Sequence, residues 1–135
     1  MNRINLTYII DDDPIFIFAA KRVLKSSNLC DNFAVYNNGL EALNSIKPCV
    51  SSDDELPDII FLDINMPIMD GWQFLDEFIK LKFNKLITVY IVSSSVDPAD
   101  IKKSKSYSVI DDFLVKPLKK TTLHKAVKQV VEKQP

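Results

Sequence analysis

An α/β fold with a parallel sheet is what this sequence predicts, and three observations predict it. Short apolar runs recur along the 135 residues, and each is followed by apolar residues at helical spacing. One run, Ile59-Ile60-Phe61-Leu62, is apolar without alternation, as expected of a central strand covered on both faces. Two runs are followed closely by an Asp-Pro step, Asp13-Pro14 and Asp97-Pro98. Such a step suits a helix N-cap and the first helical position, where proline has no backbone bond to lose. Strand and helix alternate five times in this reading, and strands separated by helices imply right-handed crossovers into one parallel sheet.

The elements follow in order. Leu6 to Ile10 forms the first strand; beyond Asp11-Asp12, Phe16, Ala20, Val23 and Leu24 recur at helical spacing to about Ser26. Phe33 to Tyr36 is a weaker second strand, and Asn37-Asn38-Gly39 turns the chain into a helix carrying Leu40, Leu43 and Ile46. Pro48 to Pro57 is polar and acidic and reads as a surface loop. After the third strand, Ile59–Leu62, comes a loop from Met66 to Met69; Asp70 then caps a helix whose buried stripe is Phe74, Leu75, Phe78 and Leu81. Ile87 to Val92 is the fourth strand, and the helix after Asp97-Pro98 is short and poor in apolar residues. Val109 to Val115 contains the fifth strand, and Leu118, Leu123, Ala126, Val127, Val130 and Val131 give the last helix a continuous apolar face. No repeat, low-complexity segment or second domain interrupts this order, so residues 1–135 read as a single domain without an output domain.

Composition narrows the classes of function. Apolar residues make up 47% and charged residues 26%, near the globular average, so disorder is not expected. The longest clean apolar stretch, Ile87 to Val92, is far too short to cross a bilayer, and acids follow Leu6–Ile10 at once, unlike a signal peptide. Cys30 and Cys49 lack metal or redox spacing and read as reduced thiols, which places the protein in the cytoplasm. The net charge of −1 hides an asymmetry: residues 1–100 carry 8 basic and 15 acidic side chains, and residues 101–135 carry 9 and 3. Because the basic residues are spread through a strand and helix pattern, they read as a solvated face or a docking surface for an acidic protein, not as a nucleic-acid arm.

Chemistry gathers at the strand ends. Asp11 and Asp12 end the first apolar run, Asp63 the third, Ser93 the fourth and Lys116 the fifth. Residues just past the C-terminal ends of parallel strands share one crevice, where ligands bind. Three acids converging there repel one another unless a cation compensates, and all-oxygen ligands favour Mg²⁺. A carboxylate at Asp63 can attack phosphorus to give an acyl phosphate, with Lys116 as a mobile point charge and Ser93 as a hydrogen-bond donor to a phosphoryl oxygen. Asp13 reads as a plain cap, and His124, the single histidine, as a surface residue and not a phosphodonor.

In order and spacing these residues resemble the receiver domain of two-component response regulators. The resemblance rests on Asp11-Asp12, Leu62-Asp63 followed by Met66-Pro67 and Asp70-Gly71, Ser93, and Lys116-Pro117, and it covers essentially the whole chain. It implies a flavodoxin-like (βα)5 three-layer sandwich with a five-stranded sheet of order 2-1-3-4-5. It also implies Asp63 as phosphoacceptor, with Mg²⁺ (or Mn²⁺) on Asp12, Asp63 and the backbone carbonyl of Asn65, and Asp11 acting through a water. Ser93 and Lys116 would grip the phosphoryl group, with a cis peptide before Pro117 aiming the lysine. Phe113 matches the switch aromatic that turns inward as the Ser93 hydroxyl moves to the phosphate; read from the residue alone, it is equally a plain core side chain. Asn65 and Ser95 stand where the family flanks the attacking water. Two departures are present: Ser93 stands where Thr is commoner, and Phe113 where Tyr is, so no phenolic hydrogen bond can accompany the switch.

The resemblance further implies a phosphoacceptor and not a turnover enzyme. Its partners would be a histidine kinase or histidine phosphotransfer protein and a downstream protein target, with no direct nucleic-acid or membrane insertion, the chain being a monomer or weak dimer. The lysine-rich, weakly anchored stretch from Ser93 to Phe113 marks the fourth helix, fifth strand and fifth helix as the responding surface. Two other classes remain open from the sequence. A phosphatase of the haloacid-dehalogenase type also uses a strand-end aspartate, but wants an acid where this chain has Asn65. A non-phosphorylated interaction module would not need the complete set of acids.

Overall fold

The computed structural model describes residues 3–94 and 97–133. Strands and helices alternate as β1 (Ile4–Ile10), α1 (Pro14–Ser27), β2 (Cys30–Tyr36), α2 (Gly39–Ile46), β3 (Ile59–Leu62), α3 (Gly71–Phe78), β4 (Thr88–Ser93), α4 (Pro98–Ser104), β5 (Ile110–Val115) and α5 (Lys120–Lys133). The strands pair in parallel in the order β2-β1-β3-β4-β5. The chain moves outward from β1 to β2 and returns on the other side at β3. The order therefore reverses between β1 and β3, and the crevice opens at their C-terminal ends.

The unbroken apolar strands are explained by two cores, one on each face of the sheet. Tyr8, Ile10, Ile60, Leu62, Val89 and Ile91 point into a core shared with α2 and α3. Their neighbours Ile9, Ile59, Phe61, Tyr90 and Val92 point into a second core shared with α1 and α5. Alternating side chains thus find apolar cover on either face, which gives the three layers of a flavodoxin-like sandwich. Aromatic rings fill the second core: Phe61 stacks on Tyr90 with centroids 5.8 Å apart, and Phe16 meets Phe61 edge-on at 6.3 Å.

Polar side chains cap the helices as their positions in sequence suggest. Asp13 accepts from the Ile15 N–H at the start of α1, Asn38 from Glu41 at α2, and Asp97 from Ala99 at α4. At α3 Asp70 and Gln73 form a reciprocal capping box.

Several boundaries differ from the sequence expectation. Leu81 lies beyond α3, which ends at Phe78 where hydrogen bonds tighten to Lys80 N–H with Glu77 and Leu81 N–H with Phe78; Leu81 packs on the core from that turn. Leu118 likewise precedes α5 and reaches the second core from the turn after Pro117. Leu40 is exposed, and Ala42 fills the buried position in its place. Strand β2 starts at Cys30 because an edge strand tolerates the exposed Asp31 and Asn32. The polar segment before Pro57 is not simply loop: it holds two 3₁₀ turns, and Leu56 is fully buried beneath it. At its end Asp58 is buried, paired with Lys85 at 2.8 Å and accepting the Asn5 N–H at 2.7 Å, which ties together the N-terminal ends of β1 and β3.

Candidate functional site

Backbone pairing brings the reactive side chains together. The Asp11 N–H donates to Tyr36 O and the Asp63 N–H to Ile10 O, each at 2.9 Å, so both aspartates sit one step past the ladder on neighbouring strands. The Lys116 N–H donates to Ser93 O at 2.8 Å, and the peptide joining Lys116 to Pro117 is cis, as expected. Gly71 lets α3 start against this strand end: a Cβ there would lie 2.4 Å from Asp63 O and 2.8 Å from Ile64 Cα. The absence of a side chain, not a left-handed backbone, is what this position needs.

Asp11, Asp12 and Asp63 each place a carboxylate oxygen within 4.8 Å of the other two. Asp11 and Asp63 are buried, while Asp12 is exposed at the mouth. Asp11 Oδ1 accepts the Asp13 N–H at 2.9 Å, and Asp63 Oδ1 accepts the Asn65 N–H at 3.1 Å. The Lys116 ammonium lies 2.8 Å from Asp11 Oδ2, 3.3 Å from Asp13 Oδ2 and 3.8 Å from Asp63 Oδ2. It also rests over the Phe16 ring, 5.2 Å from the centroid. The lysine is therefore nearest Asp11, not the expected phosphoacceptor. Asp13, read from sequence as a cap alone, is both a cap and a second anchor for that lysine.

The electrostatics show a shortage of positive charge. Burial pushes the Asp11 carboxyl up to about 6, against the pull of Lys116 and the Asp13 N–H. Burial likewise raises Asp63, opposed by the Asn65 N–H and Lys116. Burial disfavours the Lys116 ammonium, yet Asp11, Asp63 and Asp13 together hold its pKa above the ordinary lysine range. One cation faces four carboxylates: the Lys116 ammonium, the only partner of the buried Asp11 Oδ2 among the described residues, is shared with Asp13 and Asp63. These residues fit a divalent cation: the donors are hard oxygens, they converge, and one ammonium is too little charge to balance them.

The switch candidates lie where the sequence suggests, in different settings. Ser93 is fully buried at the end of β4. Phe113 is half-buried on β5 and packs on the core shared with α2 and α3; beside it a cavity of about 250 Å³ opens between α4 and β5, lined by Ile101, Ile110, Phe113 and Val115. Asn65 is exposed beside Asp63, and Ser95 lies outside the described residues. Trp72, Lys103, Tyr107 and Asp76 form a cluster that sequence reading missed, because it joins α3 to the far end of α4 without any local pattern. The nearest signal was an aromatic side chain just after Gly71.

No helix among the described residues is long and apolar enough to cross a membrane. A two-component response regulator from Cytophaga hutchinsonii has the same fold, with TM-score 0.82, 28% identity, and 97% of this chain and 99% of that one covered. The probable C4-dicarboxylate response regulator DctR of Bacillus subtilis is 28% identical over 121 residues, 90% of this chain and 50% of DctR. The sensor histidine kinase CheAY of Helicobacter pylori is 33% identical over 95 residues, 70% of this chain and 11% of CheAY. The chain thus spans half or less of the length of these curated relatives. The family model described as the response regulator receiver domain matches residues 7–128, over the same strands and helices that carry the acids, the serine and the lysine, and the chain belongs to that family.

Proposed function

We propose that this chain is the phosphoacceptor of a two-component phosphorelay, taking a phosphoryl group on Asp63 from a histidine kinase or histidine phosphotransfer protein. The observation that carries the reading is the convergence of Asp11, Asp12 and Asp63 within 4.8 Å, with Lys116 reaching in from β5. Asp12, Asp63 and the Asn65 carbonyl would hold Mg²⁺ or Mn²⁺, with Asp11 behind. Such an ion would supply positive charge against the oxygens of the transferring phosphoryl group. A carboxylate oxygen of Asp63 attacks phosphorus, the P–N bond to the donor imidazole breaks, and its electron pair leaves with the nitrogen. Asp63 Oδ2 is the oxygen on the Lys116 side, so a phosphoryl group there comes within the lysine's reach. The Ser93 hydroxyl donates to another phosphoryl oxygen. Asn65 offers no acidic proton to a leaving group, which favours a held phosphate over repeated turnover on phosphoesters.

The mouth of the site suits a protein donor. Ile15 and Phe18 on α1 are 79% and 63% exposed, and a groove of about 300 Å³ lined by Ile15, Ala19, Pro117 and Leu118 runs beside Asp13 and Lys116. A donor helix carrying the phosphohistidine would seat its apolar side chains there. The output surface is α4, β5 and α5, in the stretch of residues 101–135 where basic side chains outnumber acidic ones nine to three; an acidic protein partner in the cytoplasm fits it.

Incubation with acetyl phosphate and Mg²⁺, followed by intact-mass measurement, tests the chemistry. Wild type gains one labile phosphoryl group and Asp63→Asn gains none. Equal labelling of both removes Asp63 from the mechanism.

A further inference from the structure

Helix α4 is poorly anchored through its own residues. It is seven residues long, and its one buried side chain is Ser104, whose hydroxyl donates to Ile101 O at 2.6 Å within the helix. A helix with so little apolar surface needs another fastening to stay on the sheet.

That fastening comes from α3. Trp72 stacks on Tyr107, just past α4, with centroids 5.7 Å apart and planes 19° apart. The Lys103 ammonium sits over the same indole at 4.9 Å. The Tyr107 hydroxyl donates to Asp76 Oδ1 at 2.6 Å. Trp72 and Asp76 are four residues apart on α3, so they share one face, and both hold the C-terminal end of α4. The two ends of this clasp lie at functional places. Trp72 directly follows Gly71, whose backbone is pressed against Asp63 O. Tyr107 O accepts the Ile110 N–H at 3.1 Å, where β5 begins, three residues before Phe113.

We propose that Trp72, Asp76, Lys103 and Tyr107 form a latch that sets the balance of α4 between a docked and a released state, and that this balance governs how readily Asp63 is phosphorylated. The second half of the inference rests on the phosphoacceptor reading. Its logic is a population shift: if the released state of α4 is the one that accepts phosphate more readily, releasing α4 by mutation raises the fraction of protein in that state and with it the rate of phosphorylation. The latch is thus a brake on the site, built from side chains that touch neither metal ligands nor phosphate.

Tyr107→Leu keeps apolar cover but removes the stack and the hydroxyl, and Lys103→Gln removes the cation alone. In the unmodified protein, amide exchange across residues 98–107 should speed up about tenfold in Tyr107→Leu and less in Lys103→Gln, with β3 and β4 unchanged. Emission from Trp72, the sole tryptophan, should shift in both variants. With acetyl phosphate and Mg²⁺, wild type should show the same loosening of residues 98–107, and Tyr107→Leu should take up phosphate several-fold faster. Unchanged exchange in Tyr107→Leu overturns the latch. Faster exchange with an unchanged phosphorylation rate overturns its coupling to Asp63. A wild type that takes up no phosphate overturns the phosphoacceptor reading and the coupling with it, while the exchange data still judge the latch.

Discussion

Removing one charge from the acidic cluster should stabilise the metal-free protein, and Asp11→Asn is the substitution that isolates the effect. The variant keeps an acceptor for the Asp13 N–H and loses the buried charge. Burial raises the Asp11 carboxyl from 3.8 to about 6, which corresponds to about 3 kcal/mol between its two protonation states. Between those two values the folded protein holds a proton that the unfolded chain has lost. Stability therefore falls as pH rises through this window, and the penalty is absent below about pH 4 and complete above about pH 7. Urea unfolding in EDTA, with wild type and Asp11→Asn compared at each pH, cancels the other titrations. The difference in unfolding free energy should grow in favour of the variant from pH 4 to pH 7, towards about 1–3 kcal/mol once the weakened Lys116 pairing is counted. Mg²⁺ should raise wild-type stability at pH 7, by about 2.7 kcal/mol at a hundredfold excess over its dissociation constant. A wild-type minus variant difference that stays flat with pH, or that favours wild type above pH 6 without metal, would refute the claim that this site is short of positive charge.

Other perturbations separate scaffold from site. Asp58→Ala leaves the Asn5 N–H without its acceptor and the half-buried Lys85 ammonium with only the Asp53 and Leu56 carbonyls at the far end of the sheet; a loss of about 1–3 kcal/mol in urea unfolding is expected, with Asp63 still phosphorylated by acetyl phosphate at low temperature. Gly71→Ala drives a methyl group to 2.4 Å from Asp63 O, so the backbone of the phosphoacceptor must move; about 1–3 kcal/mol of stability and most of the phosphoryl uptake should be lost together. The double variant Ile15→Ala/Phe18→Ala should slow transfer from a phosphohistidine protein at least several-fold while leaving the acetyl phosphate rate unchanged. Equal slowing with both donors would remove α1 from donor docking.

What was legible in the sequence follows from which forces act locally. The central strands could be read because burial on both faces forbids polar residues, and the helix starts because caps sit beside the bonds they satisfy. The reactive residues could be read because a parallel sheet puts every strand end at one edge, whatever the loops do. Contacts between elements left no such trace. Nothing near Asp58 announces Lys85, and nothing near Trp72 announces Tyr107, since each pair is created by packing. Leu56 shows the converse: a single apolar residue in an acidic loop carries no period, yet the fold buries it completely. Asp13 was half legible, because its capping role is local and its grip on Lys116 is not.

The position of Lys116 ties the electrostatics to the proposed switch. In this structure the lysine is shared, closest to Asp11 and farthest from Asp63. A divalent ion drawn to the three acids would take up the charge that now holds the ammonium on Asp11. A phosphoryl group on Asp63 would then offer new anionic oxygens on the side the lysine already faces. Each arrival makes the lysine's present position less favourable and the next one more so. Lys116 follows β5 directly and Ser93 ends β4, so the groups that would close on phosphate lie at the ends of the two strands that border α4. A cluster that weakens the metal-free fold can in this way turn a local change of charge into a change at the least firmly held helix of the domain.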